Sequence, residues 1–271
     1  MQSFELDSLL SMLPPGQHRE AARGLASRDP VELRAELDAM LSLRVETCPR
    51  HGEWRPYQIV DGRLCAQHVE CPECELQRRR DSVRGLPPRY AGASFDCFEV
   101  LTPVHAAAVR HMRGYATRLS LSGRCSENLV LLGPPGTGKT HLACALAREV
   151  AATRGVVYAR MLDVVDALRR DRFGDAPMTE MDALVNVDLL ILDEVGKQAG
   201  NDSEAVAAQR LIDGRYSANK PTVLIGNGDL DGMATCITPA GLDRIKGDGT
   251  VITLRGKSYR GLDKATLTPS D

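Results

Sequence analysis

The chain is 271 residues long, 43% hydrophobic, 26% charged and 4% aromatic, with a formal net charge of −2. That length holds one large domain or two smaller ones, and the apolar fraction supports a core packed mostly by aliphatic side chains. The charge excludes a globally basic nucleic-acid coat, although a local basic path would be enough for DNA. No apolar run approaches the roughly 20 residues needed to cross a bilayer, so no membrane association is expected. Met1 to Leu13 carries Glu5 and Asp7 without a basic leader, so a cytoplasmic location is expected. The eight cysteines then read as thiols or metal ligands rather than disulfides.

Residues 1–47 read as a helical N-terminal segment. Phe4, Leu6, Leu9, Leu10 and Leu13 make an apolar face that Pro14-Pro15-Gly16 ends. A second helix is predicted at Asp29-Pro30-Val31-Glu32, with Asp29 as N-cap and Pro30 in the first turn. Val31, Leu33, Leu37, Met40 and Leu41 continue it at helical spacing. This face serves either a bundle within the chain or the docking of a partner protein.

Residues 48–84 form a candidate zinc-binding module. Cys48 and His51, then Cys71 and Cys74, are two tight pairs separated by nineteen residues, which can close a tetrahedron around zinc. A segment with so few apolar residues would draw its folding energy from the metal. Cys65 and His68 form a rival pair, so His51, Cys65 or His68 could complete the site. Arg78-Arg79-Arg80 reads as a solvated helix face, with a DNA contact as the alternative. Residues 85–94, with Gly85-Leu86-Pro87-Pro88-Arg89, read as a linker. Cys97, Cys125, Cys144 and Cys236 have no partner spacing and read as buried or incidental thiols.

From Phe95 to residue 271 strand-like and helix-like segments alternate. Strands are predicted at 128–132, 156–160, 188–192, 222–226 and 250–254, and helices near 141–152, 162–171 and 203–218. The fold class is α/β, with a parallel five-stranded sheet flanked by helices. Gly133-Pro134-Pro135-Gly136-Thr137-Gly138-Lys139-Thr140 joins the first strand to its helix, the context of a phosphate-binding loop. Its glycines let backbone N–H groups face phosphate oxygens, and the helix adds its positive end. Lys139 would reach the β- and γ-phosphates, and Thr140 would complete a magnesium shell. These eight residues, with His141 beside them, are the candidate nucleotide-binding residues. Leu189 to Leu192 is an apolar strand ending in Asp193 and Glu194. Asp193 is placed to hold magnesium directly or through water, and Glu194 to polarise an attacking water. Asn227, after the strand at 222–226, could hold that water or touch the γ-phosphate.

The phosphate loop, the Asp193-Glu194 strand, Asn227, Leu242-Asp243-Arg244 and Ser258-Tyr259-Arg260 together resemble the AAA+ ATPases. Within them the chain is similar to replicative helicase loaders of the DnaC/DnaI type and to the related IstB transposition ATPases, over roughly residues 86–262. Ile212-Asp213-Gly214-Arg215-Tyr216 and the Gln198–Asn201 loop extend the likeness to loaders. The resemblance implies an ATP-hydrolysing P-loop AAA+ core with a small helical, zinc-bearing N-terminal module that grips a DnaB-type helicase. It gives Asn227 the sensor-1 role, Arg244 that of an arginine finger acting on a neighbouring subunit, and Arg260 that of sensor 2. It also implies self-association with ATP and a single-stranded DNA path near Ala167 to Phe173, where Arg169, Arg170 and Arg172 adjoin an aromatic ring. The expected function is ATP-dependent loading of the replicative helicase. An IstB-like helper of transposition and a nucleotide-gated adaptor with incidental hydrolysis are the alternatives.

Overall fold

A computed structural model describes residues 30–61, 63–68, 70–122, 126–171, 179–196, 202–234, 236–247, 249–256 and 258–259. The chain divides into two compact units, residues 1–75 and 76–271. The apolar face between Phe4 and Leu13, the N-cap Asp29, Cys125, Arg172 and Phe173, the Gln198–Asn201 loop and Arg260 lie outside the described residues.

In the first unit, helix α1 (Pro30–Ser42) opens on the proline that suits a first turn and packs against β3 (Tyr57–Val60) and β4 (Arg63–Ala66). β3 and β4 form one antiparallel hairpin, and β1 (Glu46–Cys48) and β2 (Gly52–Trp54) form another. Leu41, Cys48, Pro56 and Cys71 are its buried apolar side chains among the described residues. Two cysteines in so small a core fit a module that depends on a metal cross-link. The sequence reading contains neither hairpin, because strands of three or four residues are too short to establish a period of two. The boundary between the units falls within α2 (Pro72–Asp81).

The second unit is built on a parallel sheet of five strands: β5 (Asn128–Leu132), β6 (Val156–Arg160), β7 (Leu189–Val195), β8 (Thr222–Gly226) and β9 (Gly249–Thr253). They lie in the order β6-β7-β8-β5-β9, all parallel, which is the α/β sheet the sequence predicts. Successive side chains of β5 serve opposite faces. Leu129 and Leu131 join one apolar cluster, Val130 and Leu132 the other. Both faces are covered, so the strands read as continuous apolar runs rather than alternating ones. Helices α3 (Pro103–Ser122) and α4 (Lys139–Ala151) pack on each other over the first face. On the second lie α5 (Met161–Asp171), α6 (Glu180–Asn186) and α7 (Asp202–Ser217). The short α8 (Leu230–Ala234) and then α9 (Pro239–Gly247) precede β9. The sequence reading places no helix over α3, whose alanines blur its apolar stripe.

Residues 85–94, read as a linker, are tied into this second unit. Leu86, Tyr90 and Ala93 lie against the first apolar cluster, and the Gly85 backbone sits so close to Tyr158 that an added Cβ would come 2.1 Å from its carbonyl oxygen. Residues 76–84 also belong to it. Arg148 Nη1 donates to Asp81 Oδ1 at 2.7 Å and to Ala91 O. Arg79 donates to Ala152 O at 3.4 Å and Arg80 to Glu149 Oε2 at 3.4 Å, so two of the three clustered arginines meet the end of α4. Cations at a helix C-terminus complement its dipole.

The Gly214-Arg215 pair of the loader-like pattern is structural. Arg215 is 1% exposed, and its guanidinium donates to Leu184 O, Val185 O, Val187 O, Pro221 O and Thr222 Oγ1 at 2.5–3.1 Å. It gathers the last carbonyls of α6, while a Cβ on Gly214 would come 2.9 Å from Val185. Burial draws the guanidinium down to about 10, and the five acceptors offset the cost of taking its charge out of water.

Candidate nucleotide-binding and metal sites

The phosphate loop runs from the end of β5 to the start of α4. Gly136 and Gly138 have φ of +86° and +87°, a region that side chains with a Cβ enter only at a cost. A Cβ on Gly138 would also come 2.6 Å from the Phe98 ring. Among the described residues no side chain caps α4, which leaves its first N–H groups to an anion. Lys139 is buried, and its Nζ donates to Gly133 O at 2.7 Å and Pro134 O at 2.8 Å. Thr137 Oγ1 donates to Pro134 O at 2.9 Å, fixing the loop from within.

Behind the loop stands Asp193, 7% exposed. Its Oδ2 accepts from Thr140 Oγ1 at 2.9 Å and from the Tyr158 hydroxyl at 2.6 Å, and its Oδ1 from the Glu194 N–H at 2.6 Å. Tyr158 on β6 is a residue the sequence reading missed. Within Val156-Val157-Tyr158-Ala159-Arg160 it looks like any strand aromatic, and only the β6–β7 pairing, which sets Tyr158 beside Ile191, brings it under Asp193. Burial, then the Asp193 charge, pushes its phenol well above the ordinary range, so it stays a donor.

Glu194 adopts φ +61°, left-handed backbone for a residue with a side chain, where the β7–β8 register shifts between Leu192 and Val195. Such a conformation costs about 1–3 kcal/mol, and such a bulge re-aims a side chain. Glu194, Asn227, Lys139, Thr140 and Asp193 line one cavity of about 470 Å³, a volume suited to a small ligand. Its far wall holds Arg89, Tyr90, Cys97, Phe98 and Glu99. His141 stands on this wall, its Nε2 3.2 Å from Ser94 O and its ring edge-on to Tyr90 and Phe98. Tyr259 closes the rim. Its N–H donates to Gly136 O at 2.8 Å, and its hydroxyl lies against Glu99 O and 3.0 Å from His105 Nδ1.

Arg244 is not in this cavity. On α9 it pairs with Asp213 and lies 5.4 Å over the Tyr216 ring, lining a separate cleft of about 270 Å³. Arg260 is outside the described residues. Of the cysteines outside the two ligand pairs, Cys144 and Cys236 are buried, and burial pushes Cys144 up to about 12. Cys97 is exposed, its Sγ 2.7 Å from Ser94 Oγ. In the stretch expected to line DNA, Arg170 makes a two-pronged contact with Glu180 at 2.6 and 3.1 Å, and Arg169 lies 3.6 Å from Asp166.

In the first unit the described residues bring Cys48, His51, Cys71 and Cys74 together, one donor atom from each lying within 4.8 Å of all the others. His51 Nδ1 is 3.6, 3.5 and 3.4 Å from the sulfurs of Cys48, Cys71 and Cys74, and Cys48 Sγ is 3.5 Å from Cys74 Sγ. Tetrahedral zinc with thiolate and imidazole ligands needs edges of about 3.5–3.8 Å, so this donor set fits that ion. Cys48 and His51 flank the β1–β2 turn, and Cys71 and Cys74 flank the start of α2. The backbone N–H of Arg50 is the main influence drawing Cys48 down to about 6, and Arg50 Nη2 donates to Cys74 Sγ at 3.2 Å. His68 instead pairs with Glu75 at 3.2 Å, and Cys65 lies opposite Gln58 in the other hairpin. Among the described residues, no helix is long and apolar enough to cross a membrane.

Comparison with known proteins adds three relationships. The chain is 26% identical over 236 residues to the replicative helicase loader DnaC of Escherichia coli K12, covering 84% of this chain and 95% of that protein. Its fold is similar to a crystal structure of the DnaC helicase loader, with a TM-score of 0.57 and 20% identity over 62% of this chain and 100% of that one. It is also similar to a crystal structure of DnaI, with a TM-score of 0.55 and 22% identity over 67% of this chain and 98% of that one. These structures share the fold of this chain's parallel-sheet unit. The family model described as IstB-like ATP binding protein matches residues 102–266, more than half of the chain, and the chain belongs to that family.

Proposed function

We propose that this protein is an ATPase that loads a ring-shaped, DnaB-type replicative helicase onto single-stranded DNA. The Thr140–Asp193 hydrogen bond, with Glu194 on the same cavity wall, supports the ATPase half. A similarity that runs through 95% of a replicative helicase loader carries the choice of client.

The chemistry follows from the residues. The loop N–H groups and Lys139 accept the triphosphate, drawing the ammonium from carbonyls onto phosphate oxygens. Thr140 and Asp193 would hold magnesium, which when bound neutralises charge on the β- and γ-oxygens. Glu194 takes a proton from the attacking water, and Asn227 orients that water or the γ-phosphate. Arg244 of one subunit reaches the γ-phosphate held by its neighbour, so turnover requires self-association, and Arg260 senses the same phosphate from the nucleotide's own subunit. The N-terminal unit, held by zinc on Cys48, His51, Cys71 and Cys74, grips the helicase. Arg169 and Arg170 exchange exposed carboxylate partners for DNA phosphates, an exchange made easy because exposed ion pairs contribute little.

Light scattering of the protein mixed with a DnaB-type helicase, with and without ATP, tests this reading. A joint species, and ATP-dependent transfer of the helicase to circular single-stranded DNA, are expected. Absence of both would end the loader assignment. The IstB-like family match favours a second reading, delivery of a transposase to duplex DNA, and capture of a transposase instead of the helicase in the same assay would select it.

A further inference from the structure

We propose that Tyr158 is a positioning residue of the magnesium site, fixing the Asp193 carboxylate so that Thr140 presents its oxygen to the cation. The inference rests on the ATPase reading and extends it to a residue that lies outside the nucleotide cavity. A carboxylate has about four sites for accepting hydrogen bonds. In Asp193 three of them are taken, by Tyr158 and Thr140 on Oδ2 and by the Glu194 N–H on Oδ1. Thr140 has one hydroxyl proton and gives it to Asp193, which turns its own lone pairs away from the acid and toward the cavity. The orientation of Thr140 therefore depends on Asp193, and that of Asp193 on what holds it from behind.

The Glu194 N–H is a weak anchor for that purpose, because it belongs to the residue at the strained, register-shifted end of β7. Tyr158 is the firmer one. It is 6% exposed, its ring is fixed in the apolar cluster between sheet and α4, and its hydroxyl meets Oδ2 at 2.6 Å. With two of its sites on Oδ2 committed to hydroxyls and one on Oδ1 to the backbone, Asp193 would hold the cation or its water through the site that remains. Partners of this kind, one step removed from the metal, set ligand direction, and their loss lowers metal affinity by about 10- to 100-fold.

The experiment titrates magnesium at fixed fluorescent ATP analogue and reads the metal-dependent gain in nucleotide binding, for the parent, Tyr158→Phe and Asp193→Asn. Tyr158→Phe keeps the buried ring, and unchanged nucleotide binding without metal reports an intact fold. The expected result is a half-saturating magnesium concentration raised about 10-fold in Tyr158→Phe, with metal-free affinity within about twofold of the parent. Asp193→Asn should lose most of the magnesium-dependent gain. If Tyr158→Phe titrates like the parent while Asp193→Asn loses the gain, Tyr158 only fills the core and the proposal is wrong. If Asp193→Asn also titrates like the parent, the magnesium assignment itself fails, and the role of Tyr158 fails with it.

Discussion

Glu194→Gln lowers ATP turnover by about 100- to 1000-fold and leaves nucleotide binding close to the parent's, the range expected for loss of a general base. The amide has nearly the same shape, so the β7 end and its φ of +61° are kept. It lacks the charge that draws a proton from water. The groups proposed to bind nucleotide, Lys139 and the Thr140–Asp193 pair, are untouched. A thousandfold loss is about 4 kcal/mol on the barrier. Phosphate release and equilibrium binding, measured on the same preparation, separate the two effects. Turnover within threefold of the parent would remove Glu194 from its role, and loss of binding would show that the substitution had disturbed the loop instead.

Cys71→Ser removes bound zinc and melts the N-terminal hairpins, while nucleotide binding by residues 76–271 persists. Structural zinc contributes about 10–16 kcal/mol of apparent binding free energy in small modules, far more than the few buried side chains of this unit can replace. Cys71 is buried at 6% exposure, and a serine there leaves a hard, neutral hydroxyl where a soft thiolate is needed. Zinc content by a colorimetric chelator, with hydrogen exchange over residues 46–66, reads both consequences. His51→Ala should match Cys71→Ser, and His68→Ala should keep the metal, because His68 is engaged with Glu75 instead. A parent that takes up no zinc when zinc is supplied would contradict the site, and so would a Cys71→Ser protein that retains it.

The residues of the phosphate loop and the Asp193-Glu194 pair were legible in the sequence because their chemistry demands particular residue types at fixed spacing beside a strand and a helix. The five core strands were legible because a sheet covered on both faces is spelled as unbroken apolar runs. Other features depend on pairing that no local pattern carries. Tyr158 reaches Asp193 only through the β6–β7 register, and the left-handed backbone of Glu194 follows from a register shift against β8. Arg215 looked like part of a family signature, yet three of its five acceptors lie 28 to 31 residues upstream and the other two at Pro221 and Thr222, just beyond its own helix. The two N-terminal hairpins were hidden for the opposite reason. They are short, polar and shaped by metal-ligand geometry rather than by apolar alternation. Residues 85–94 carry the glycine and prolines of a linker, but Leu86, Tyr90 and Ala93 supply the apolar contacts that hold them on the core.

In the proposed mechanism one subunit binds ATP and its neighbour supplies the arginine that completes hydrolysis. The most direct measurement mixes two inactive variants, Glu194→Gln and Arg244→Ala, and follows ATP turnover against the mixing ratio. Each alone should be nearly silent. Together they should regain activity, greatest near equal proportions, because some junctions then pair an intact Glu194 with an intact Arg244 from next door. Silence at every ratio, or undiminished turnover by Arg244→Ala alone, would contradict the shared site.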